Sequence, residues 1–180
     1  EICILDPDGD IVRHLRTIGR ADRHPGWACY HTELYAFHYQ GQDYGIVGCA
    51  VGAAFAVLIA EELFASGCKF LISVTSSGQI CPIQAPPYFV VIDRALRDEG
   101  TSYHYLPPSE YSAADARLSR LARTALDAAG ISIQVGATWT TDAPFRETQD
   151  AIDAAATDGI LAVEMEAAAL YAFARARRRP

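Results

Sequence analysis

The sequence has no long uninterrupted apolar run. A membrane-spanning helix needs about 18 or more consecutive apolar residues. The richest stretch here, residues 46–58, is shorter and contains Gly48 and Gly52. We therefore expect no membrane span. The sequence also has no internal repeat, no low-complexity tract and no recognisable linker between domains.

The chain has no excess of positive charge. It carries 15 Lys and Arg against 22 Asp and Glu, a formal net charge of -7. Nucleic-acid-binding domains are normally basic, and the one basic run, residues 175–179, is interpreted as a solvated helix end. We expect no nucleic-acid partner.

No CxxC pair occurs among the five cysteines, and their number is odd. This pattern is typical of free thiols in a reducing compartment rather than of a disulfide framework. Packing in the core is the favoured role for these residues, and a catalytic Cys is the alternative. No signal peptide is visible, so the sequence predicts a cytoplasmic protein. We predict no metal site and no organic cofactor.

The composition is typical of a globular protein. Hydrophobic residues make up 51% and charged residues 21% of 180 residues, enough for one α/β domain with a real core. The chain begins in an apolar run and ends on Arg-Arg-Arg-Pro without a turn or cap. We predict a single domain over residues 1–180 that lacks elements at both ends.

Alternating strand and helix signals predict an α/β fold. A buried strand over residues 2–5 precedes a turn and a short helix, with Asp10 as a possible cap. An aromatic-rich segment and a strand over 44–50 form a predicted hairpin. A helix over 52–64 and an apolar strand over 69–74 follow. This order is typical of a three-layer domain, with a twisted mixed central sheet and helices on both faces.

The second half of the chain continues the same alternation. The predicted elements are a strand over 88–92, a short polar segment over 93–100, an amphipathic helix over 113–129, a strand over 131–138, a loop over 139–145, a helix over 147–156, a strand over 160–163 and a final helix.

Two carboxylates lie two residues apart where the last strand meets the last helix. Glu164 and Glu166 have no Lys or Arg within four residues, and burying an unpaired carboxylate is costly. Residues i and i+2 do not share a helix face, so only one of the two can face a pocket. Taken alone, the pair is interpreted as first-turn acids favoured by the helix dipole. The alternative is a ligand that needs an acceptor there.

Two turns of small residues follow predicted strands, at 48–52 and 75–78. Ligands of parallel sheets bind outside the carboxyl ends of the strands. Each turn either binds an anion through its amides and hydroxyls or only allows close packing. The 48–52 turn matches neither GxGxxG nor a P-loop.

Taken together, these segments resemble the nucleoside phosphorylase family, especially its uridine and purine phosphorylase-like branch. The resemblance runs in order over nearly the whole chain. It is carried by Asp6-Pro7, by Gly48-x-x-x-Gly52, by the segments 73–78, 98–102 and 140–145, and by Val163-Glu164-Met165-Glu166-Ala167. The last segment is the most specific match.

The resemblance implies roles on the sugar side of a site. Glu166 would bind the ribose 2′- and 3′-hydroxyls, Met165 would pack under the sugar, and Ser76 would lie near it. A carboxylate accepts two hydroxyl hydrogen bonds. It also stabilises the positive charge that develops on the sugar when an N-glycosidic bond breaks. Glu166 is therefore the expected catalytic carboxylate.

The implied base side consists of Glu164, Thr141 and Phe145. The Phe145 ring would supply the face on which a base stacks, and ordinary core packing is the alternative for this residue.

The implied phosphate or water region departs from the family pattern. The family uses a Gly and an Arg in the first turn, an Arg and a Ser or Thr in the turn after the predicted 69–74 strand, and in one branch an Arg from a neighbouring subunit. The corresponding positions here are Leu5, Gly9, Ser73, Ser76 and His31, with Gly52 nearby. Only Ser76 keeps its type, and the lost guanidiniums would have given permanently charged, bidentate contacts.

The resemblance implies an enzyme that cleaves the N-glycosidic bond of a purine or pyrimidine nucleoside, giving free base and pentose 1-phosphate with phosphate as co-substrate. Hydrolysis by water and a non-catalytic nucleoside-binding role are the alternatives. The family also implies a homo-oligomer, a dimer or a hexamer, in which His31 would reach a neighbouring site. In the purine branch the acid that protonates the base ends a further strand, which we expect beyond residue 180, so the general acid is not assigned here.

Overall fold

The computed structural model describes residues 2–180. Its ten strands are β1 Ile2–Asp6, β2 Asp22–Arg23, β3 Leu34–Tyr39, β4 Gln42–Gly48, β5 Phe70–Ser73, β6 Gly78–Gln79, β7 Phe89–Asp98, β8 Tyr111–Ala113, β9 Ile133–Thr141 and β10 Ala162–Glu164. Its five α-helices are α1 Asp10–Thr17, α2 Ala53–Ala65, α3 Ala116–Ala128, α4 Gln149–Thr157 and α5 Ala167–Arg177. Short 3-10 turns lie at Ser102–His104 and Pro144–Arg146.

The strands form two five-stranded mixed sheets. The first has the order β2-β3-β4-β1-β5 and the second β6-β10-β9-β7-β8. β1 is parallel to β4 and β5, and β9 is parallel to β7 and β10. The predicted α/β class with mixed strand directions is confirmed, although the hydrogen-bonded ladder is divided in two.

Parallel pairing brings the carboxyl ends of the strands together. In the first sheet Asp6 is level with Gly48, and Leu5 is level with Ser73. In the second sheet Glu164 is level with Thr140. The turns that follow these ends are therefore the segments that can build a site.

Helix α5 packs against α2 and against strands β7, β8 and β9. Small residues make this close approach possible: Ala167, Ala168, Ala169 and Ala172 are buried. The largest buried cluster joins β1, β4, α2 and α5, and its members Leu63 and Phe173 are each 1% exposed. The start of α5 is thus held at the junction of the two sheets.

The β3–β4 hairpin is confirmed as antiparallel, but the predicted cap of α1 was wrong. The Asp6 carboxylate, not Asp10, accepts the Gly9 N–H at 3.2 Å and the Val12 N–H at 2.9 Å. Burial raises the pKa of Asp6, and these backbone donors oppose the increase. A carboxylate at the end of β1 therefore orders the first turn of the next helix.

Strand β7 extends into residues 93–98, which were predicted to form a short polar segment. β7 continues through the predicted polar segment to Asp98, with a register shift between Ile92 and Arg94. Arg97 is 5% exposed, and its guanidinium donates to Ser102 Oγ, Ser109 Oγ and the Pro107 carbonyl. Hydrogen bonds to internal partners thus allow the polar side chain of Arg97 to be buried.

The predicted helix over residues 113–129 is shorter than expected. α3 begins at Ala116 because Asp115 caps it, accepting the N–H groups of Arg117 and Leu118. Its predicted apolar face is not buried, and Leu121 is 61% exposed. All five cysteines are free thiols, and Cys3, Cys29 and Cys68 are buried, as the packing interpretation predicted.

Candidate active site

The Glu164 carboxylate is buried and fully hydrogen-bonded. Oε1 accepts the hydroxyls of Thr138 at 3.0 Å and Thr140 at 2.5 Å. Oε2 accepts the N–H groups of Glu166 and Ala167, each at 2.7 Å. Burial raises the pKa of Glu164, and these four donors oppose the increase. Glu164 therefore orders the start of α5, and it has little capacity left for a ligand.

The Glu166 carboxylate is also buried, with 2% of the residue exposed, but it is only half satisfied. The Gly52 N–H donates to Oε1 at 2.7 Å, whereas Oε2 has no hydrogen-bond partner within residues 2–180. An unpaired buried carboxylate oxygen is costly. Its position is explained if a ligand hydroxyl donates to it.

The surroundings of Glu166 raise its pKa to about 7. Burial is the main cause, and the negative charge of Glu164 adds to it. The Gly52 N–H opposes the increase, and so does the Thr75 side chain, whose hydroxyl does not reach Oε2 with hydrogen-bond geometry. The acid and its conjugate base are thus both populated near neutral pH.

The backbone of the 48–52 turn supplies the Gly52 N–H. Gly52 has a φ of 95°, a conformation that glycine adopts without steric cost. This turn packs closely on the turn after β1, because a Cβ on Gly9 would lie 2.6 Å from Cys49 Sγ. Gly9 also has a φ of 75°, a conformation that other residues adopt only with strain, so a side chain is disfavoured at this position.

The 75–78 turn binds a carboxylate of the same chain. Asp8 accepts the Ser76 N–H at 2.6 Å through Oδ2 and the Ser76 hydroxyl at 3.0 Å through Oδ1. These are the donors that an anion would use at this turn. Asp8 follows the end of β1 and thus occupies them from the neighbouring strand.

A cavity of about 200 Å³ joins these groups. It is lined by Asp8, Val51, residues 75–78, Pro144, Glu147 and residues 163–166. Four of the lining residues are acidic, and none is Lys, Arg or His. A larger depression of about 370 Å³ beside β2, β3 and β4 contains none of the predicted site residues. We therefore place the candidate site in the smaller cavity.

Two further findings concern the described part of the chain as a whole. Within residues 2–180, no three His, Cys, Asp or Glu side chains are arranged to hold a metal ion. No helix in the same range is long and apolar enough to cross a membrane.

Comparison with known proteins gives the family. The model of the phosphorylase superfamily matches residues 1–180. The chain belongs to this superfamily. The resemblance seen in the sequence is thereby confirmed.

The superfamily relatives include enzymes of two named types. The DeoD-type purine nucleoside phosphorylase of Bacillus cereus is 30% identical over 76% of this chain and 59% of that protein. The uridine phosphorylase of Thermococcus kodakarensis is 25% identical over 92% of this chain and 69% of that protein. The chain spans about 60% of the length of the first curated relatives it matches.

A solved structure shares the fold of this protein. The uridine phosphorylase of Vibrio fischeri superposes with a TM-score of 0.83 at 21% identity, covering 98% of this chain and 73% of that one. At this identity the match supports the fold alone.

The structure brings together the three predicted sugar-side residues, Met165, Glu166 and Ser76, and one predicted base-side residue, Glu164. Glu164, Met165, Glu166 and Ser76 all line the cavity, and the Gly52 amide contacts Glu166. Thr141 is buried at the end of β9, where its hydroxyl accepts the Ala143 N–H.

Six predicted site residues lie outside the cavity lining: Gly9, Gly52, Thr141, Phe145, Ser73 and His31. Phe145 is fully exposed in the Pro144–Arg146 turn, although Pro144 and Glu147 line the cavity. Ser73 is exposed at the end of β5. His31 is exposed, and its ring lies 4.1 Å from the ring of Tyr30.

Sequence reasoning missed two acidic residues of the site, Asp8 and Glu147. The position of Asp8 just after a strand that neighbours β5 was an available signal, but the residue was interpreted only as part of a turn. Nothing in the sequence marked Glu147 as a site residue. It was predicted to begin a polar helix, where an exposed acid is ordinary. The structure places it half-buried in the cavity wall.

Proposed function

We propose that this chain forms the sugar-binding part of an enzyme that cleaves the N-glycosidic bond of a nucleoside. The observation that carries the proposal is Glu166, a buried carboxylate with one unpartnered oxygen in the wall of a cavity. When ionised, it accepts the two vicinal ribose hydroxyls, and Met165 lies beside it to contact the sugar. The two relatives named as phosphorylases support the substrate class.

The chemistry follows from the charge that develops on the sugar. As the bond from C1′ to the base nitrogen breaks, its electron pair leaves with the base and positive charge builds on the ribose ring. A carboxylate held in a site of low dielectric stabilises that charge without reorganising. Glu166 is the residue proposed for this role.

Water is the nucleophile that this cavity favours, in preference to phosphate. The Ser76 donors already bind Asp8, and a phosphate dianion would have to displace that carboxylate. It would also approach three further acidic residues with no cationic side chain in the lining. Water has no such penalty: as the C1′–N bond breaks, the water oxygen bonds to C1′, Asp8 accepts the proton that the water releases, and a proton from solvent neutralises the departing base.

The test measures base release from inosine, adenosine and uridine with and without phosphate. We expect release that is independent of phosphate, with free ribose as the second product. In Glu166→Gln, kcat/KM should fall by about 100-fold or more, as for other lost transition-state contacts. Glu110→Gln is the matched control because Glu110 is exposed and outside the cavity.

The other outcomes separate the alternatives. Release that requires phosphate and yields pentose 1-phosphate would establish phosphorolysis and overturn the choice of water. Nucleoside binding without release would establish a binding-only role. If no nucleoside is bound or cleaved, the assignment of Glu166 to a ribose is wrong.

A further inference from the structure

The main chain of Glu166 is held by the side chain of Glu164. The N–H groups of Glu166 and Ala167 each donate to Glu164 Oε2 at 2.7 Å. At the other end of Glu166, its Oε1 accepts the Gly52 N–H at 2.7 Å. Glu166 is therefore fixed at its backbone by the end of β10 and at its carboxylate by the start of α2. A side chain supported at both ends keeps one orientation toward the cavity.

Two threonines of β9 fix the Glu164 side chain in turn. Glu164 is level with Thr140 in the parallel pair of β10 and β9. Its Oε1 accepts the hydroxyls of Thr140 at 2.5 Å and Thr138 at 3.0 Å. The Thr140 hydroxyl also accepts the Ala168 N–H of α5 at 2.9 Å. Strand β9 and the start of α5 thus hold one buried carboxylate from two directions.

This arrangement gives Glu164 a different role from the base-side one that the family resemblance implied. A base-side residue offers an oxygen to the ligand, but each Glu164 oxygen already accepts two internal donors. Although Glu164 lines the cavity, a ligand donor would have to displace a buried hydrogen bond, which is costly. Its carboxylate is instead one hydrogen bond away from Glu166, the residue proposed to bind the ribose.

We propose that Glu164 is a positioning residue whose effect on a bound nucleoside passes through Glu166 and the ribose, and not through the base. This proposal rests on the proposed function and adds Glu164, with Thr140 behind it, to the same site. Without the Glu164 carboxylate, two buried N–H groups lose their acceptor, and the start of α5 has to move toward another one. The Glu166 carboxylate moves with it, and small displacements of a binding group are costly.

Removing the ribose hydroxyls separates the two roles. Binding of inosine, of uridine and of their 2′,3′-dideoxy forms is measured by calorimetry at pH 8.5, where Glu166, with a pKa of about 7, is ionised. In Glu164→Ala the affinities for inosine and uridine should fall by the same factor, about 10-fold or more, as when a charge-assisted hydrogen bond is lost. The dideoxy forms offer Glu166 no hydroxyl, so their affinities should change by less than about 2-fold.

The Thr140 hydroxyl provides a second and milder variant, which decides the question if Glu164→Ala does not fold. Thr140→Val removes one of the groups that hold Glu164, whereas Thr140→Ser keeps the hydroxyl. We expect Thr140→Val to lower the affinity for inosine by about 3-fold or more through displacement of Glu166. Thr140→Ser should restore it.

Glu99 offers a matched control for Glu164. It is also a buried carboxylate, 6% exposed, and its Oε2 accepts the N–H groups of Thr101 at 2.6 Å and Ser102 at 2.9 Å. It does not line the cavity. Glu99→Ala should therefore lower the unfolding free energy in urea, as Glu164→Ala does, and leave the affinity for inosine unchanged.

The remaining results overturn the proposal in distinguishable ways. An equal loss of affinity for inosine and its dideoxy form, or losses that differ between inosine and uridine, would assign Glu164 to the base and leave the proposed function intact. A similar loss of affinity in Glu99→Ala would show that general destabilisation is the cause. If the wild type binds neither inosine nor uridine, the proposed function fails, and the positioning role fails with it.

Discussion

At the scale of single residues, the two acids of the Glu-Met-Glu segment have different roles although they are only two positions apart. Glu164 uses its four acceptor positions on internal donors, whereas Glu166 leaves one oxygen unpartnered. The i, i+2 spacing on a helix predicted that only one of them could face a pocket, but Glu164 ends β10, Glu166 precedes α5, and both line the cavity. Only the structure shows which of them can accept a ligand.

Because the pKa of Glu166 is raised in the folded protein, the unfolding free energy depends on pH. Its pKa is about 7 in the folded protein, against an ordinary value of 4.5. The contribution of protonated Glu166 to the unfolding free energy is therefore fully present below about pH 4.5, and it is lost as the pH rises through 7. Between pH 5 and pH 8 the wild type should lose about 2.5 kcal/mol of unfolding free energy relative to Glu166→Gln.

Urea unfolding of both proteins across this range measures the difference. Because other groups titrate in both proteins, only the difference between the two curves reports on Glu166. A difference that stays constant from pH 5 to pH 8 would show that this carboxylate keeps an ordinary pKa.

Asp8 controls which anions can reach the 75–78 turn. Replacing it by Ala frees the Ser76 N–H and hydroxyl and removes one negative charge from the cavity. We expect Asp8→Ala to bind inorganic phosphate at least about 10-fold more tightly than the wild type, since each pair of new charge-assisted hydrogen bonds contributes more than about 1.4 kcal/mol.

Phosphate titration followed by calorimetry is the measurement, and Asp10→Ala is the matched control. Asp10 is also an acid of the β1–α1 region, but it pairs with Arg13 at the surface and does not line the cavity. An unchanged phosphate affinity in Asp8→Ala would mean that Asp8 does not exclude anions.

At the scale of secondary structure elements, the sequence predicted most elements but not where the strands end. The apolar runs of β1 and β4 and the residues that end α2 and α3 are readable locally. The end of β9 cannot be predicted in this way. Thr138, Thr140 and Thr141 are polar, and the predicted strand ends at residue 138, where a loop is predicted to begin. They are buried, and two of them donate to Glu164 from more than 20 positions away.

The same limit applies to the candidate site. The 75–78 turn was predicted from its position after a strand, because strand ends attract ligands, whereas the role of Glu166 was predicted from the family resemblance. The Asp8–Ser76 contact could not be predicted from the sequence, because it joins residues separated by 68 positions. Whether Phe145 faces a base stays a prediction.

The hydroxyl of Thr140 links β9 to the start of α5. It donates to Glu164 Oε1 and accepts the Ala168 N–H at 2.9 Å. Thr140→Val keeps the shape but leaves a buried acceptor and a buried donor without this partner. We expect a loss of about 1–3 kcal/mol of unfolding free energy, measured by urea unfolding.

Thr124→Val in α3 is the control for this substitution. Its hydroxyl donates to the Arg120 carbonyl at the exposed surface, so water replaces the bond and the change should stay within about 0.5 kcal/mol. Equal losses in the two variants would contradict a special role for the Thr140 hydroxyl.

At the scale of the whole molecule, α5 connects the sheets and positions the site at the same time. The segment just before its first turn carries two of the four carboxylates of the cavity, Glu164 and Glu166, and its later residues pack against α2 and the second sheet. Gly52, at the start of α2, donates to Glu166. The packing of the two helices therefore fixes the distance between the Gly52 amide and the Glu166 carboxylate.

Phe173 tests whether this packing stabilises the molecule and the site together. It is 1% exposed, and its ring lies 5.8 Å from that of Phe64 and 5.9 Å from that of Tyr105. Phe173→Ala leaves a cavity between α2 and α5 and should cost about 3–5 kcal/mol of unfolding free energy. Phe145→Ala removes the same side chain from a fully exposed position and should change stability by less than about 0.5 kcal/mol.

The two variants are compared by urea unfolding and by the pH dependence of unfolding described for Glu166. If α5 shifts when Phe173 is lost, Glu166 becomes more hydrated, its pKa returns toward 4.5, and the extra stability between pH 5 and pH 7 disappears. In Phe145→Ala that pH dependence should remain. A Phe173→Ala protein that is destabilised but keeps the full pH dependence would show that the start of α5 is held by Glu164 and Thr140 alone, independently of the α2–α5 packing.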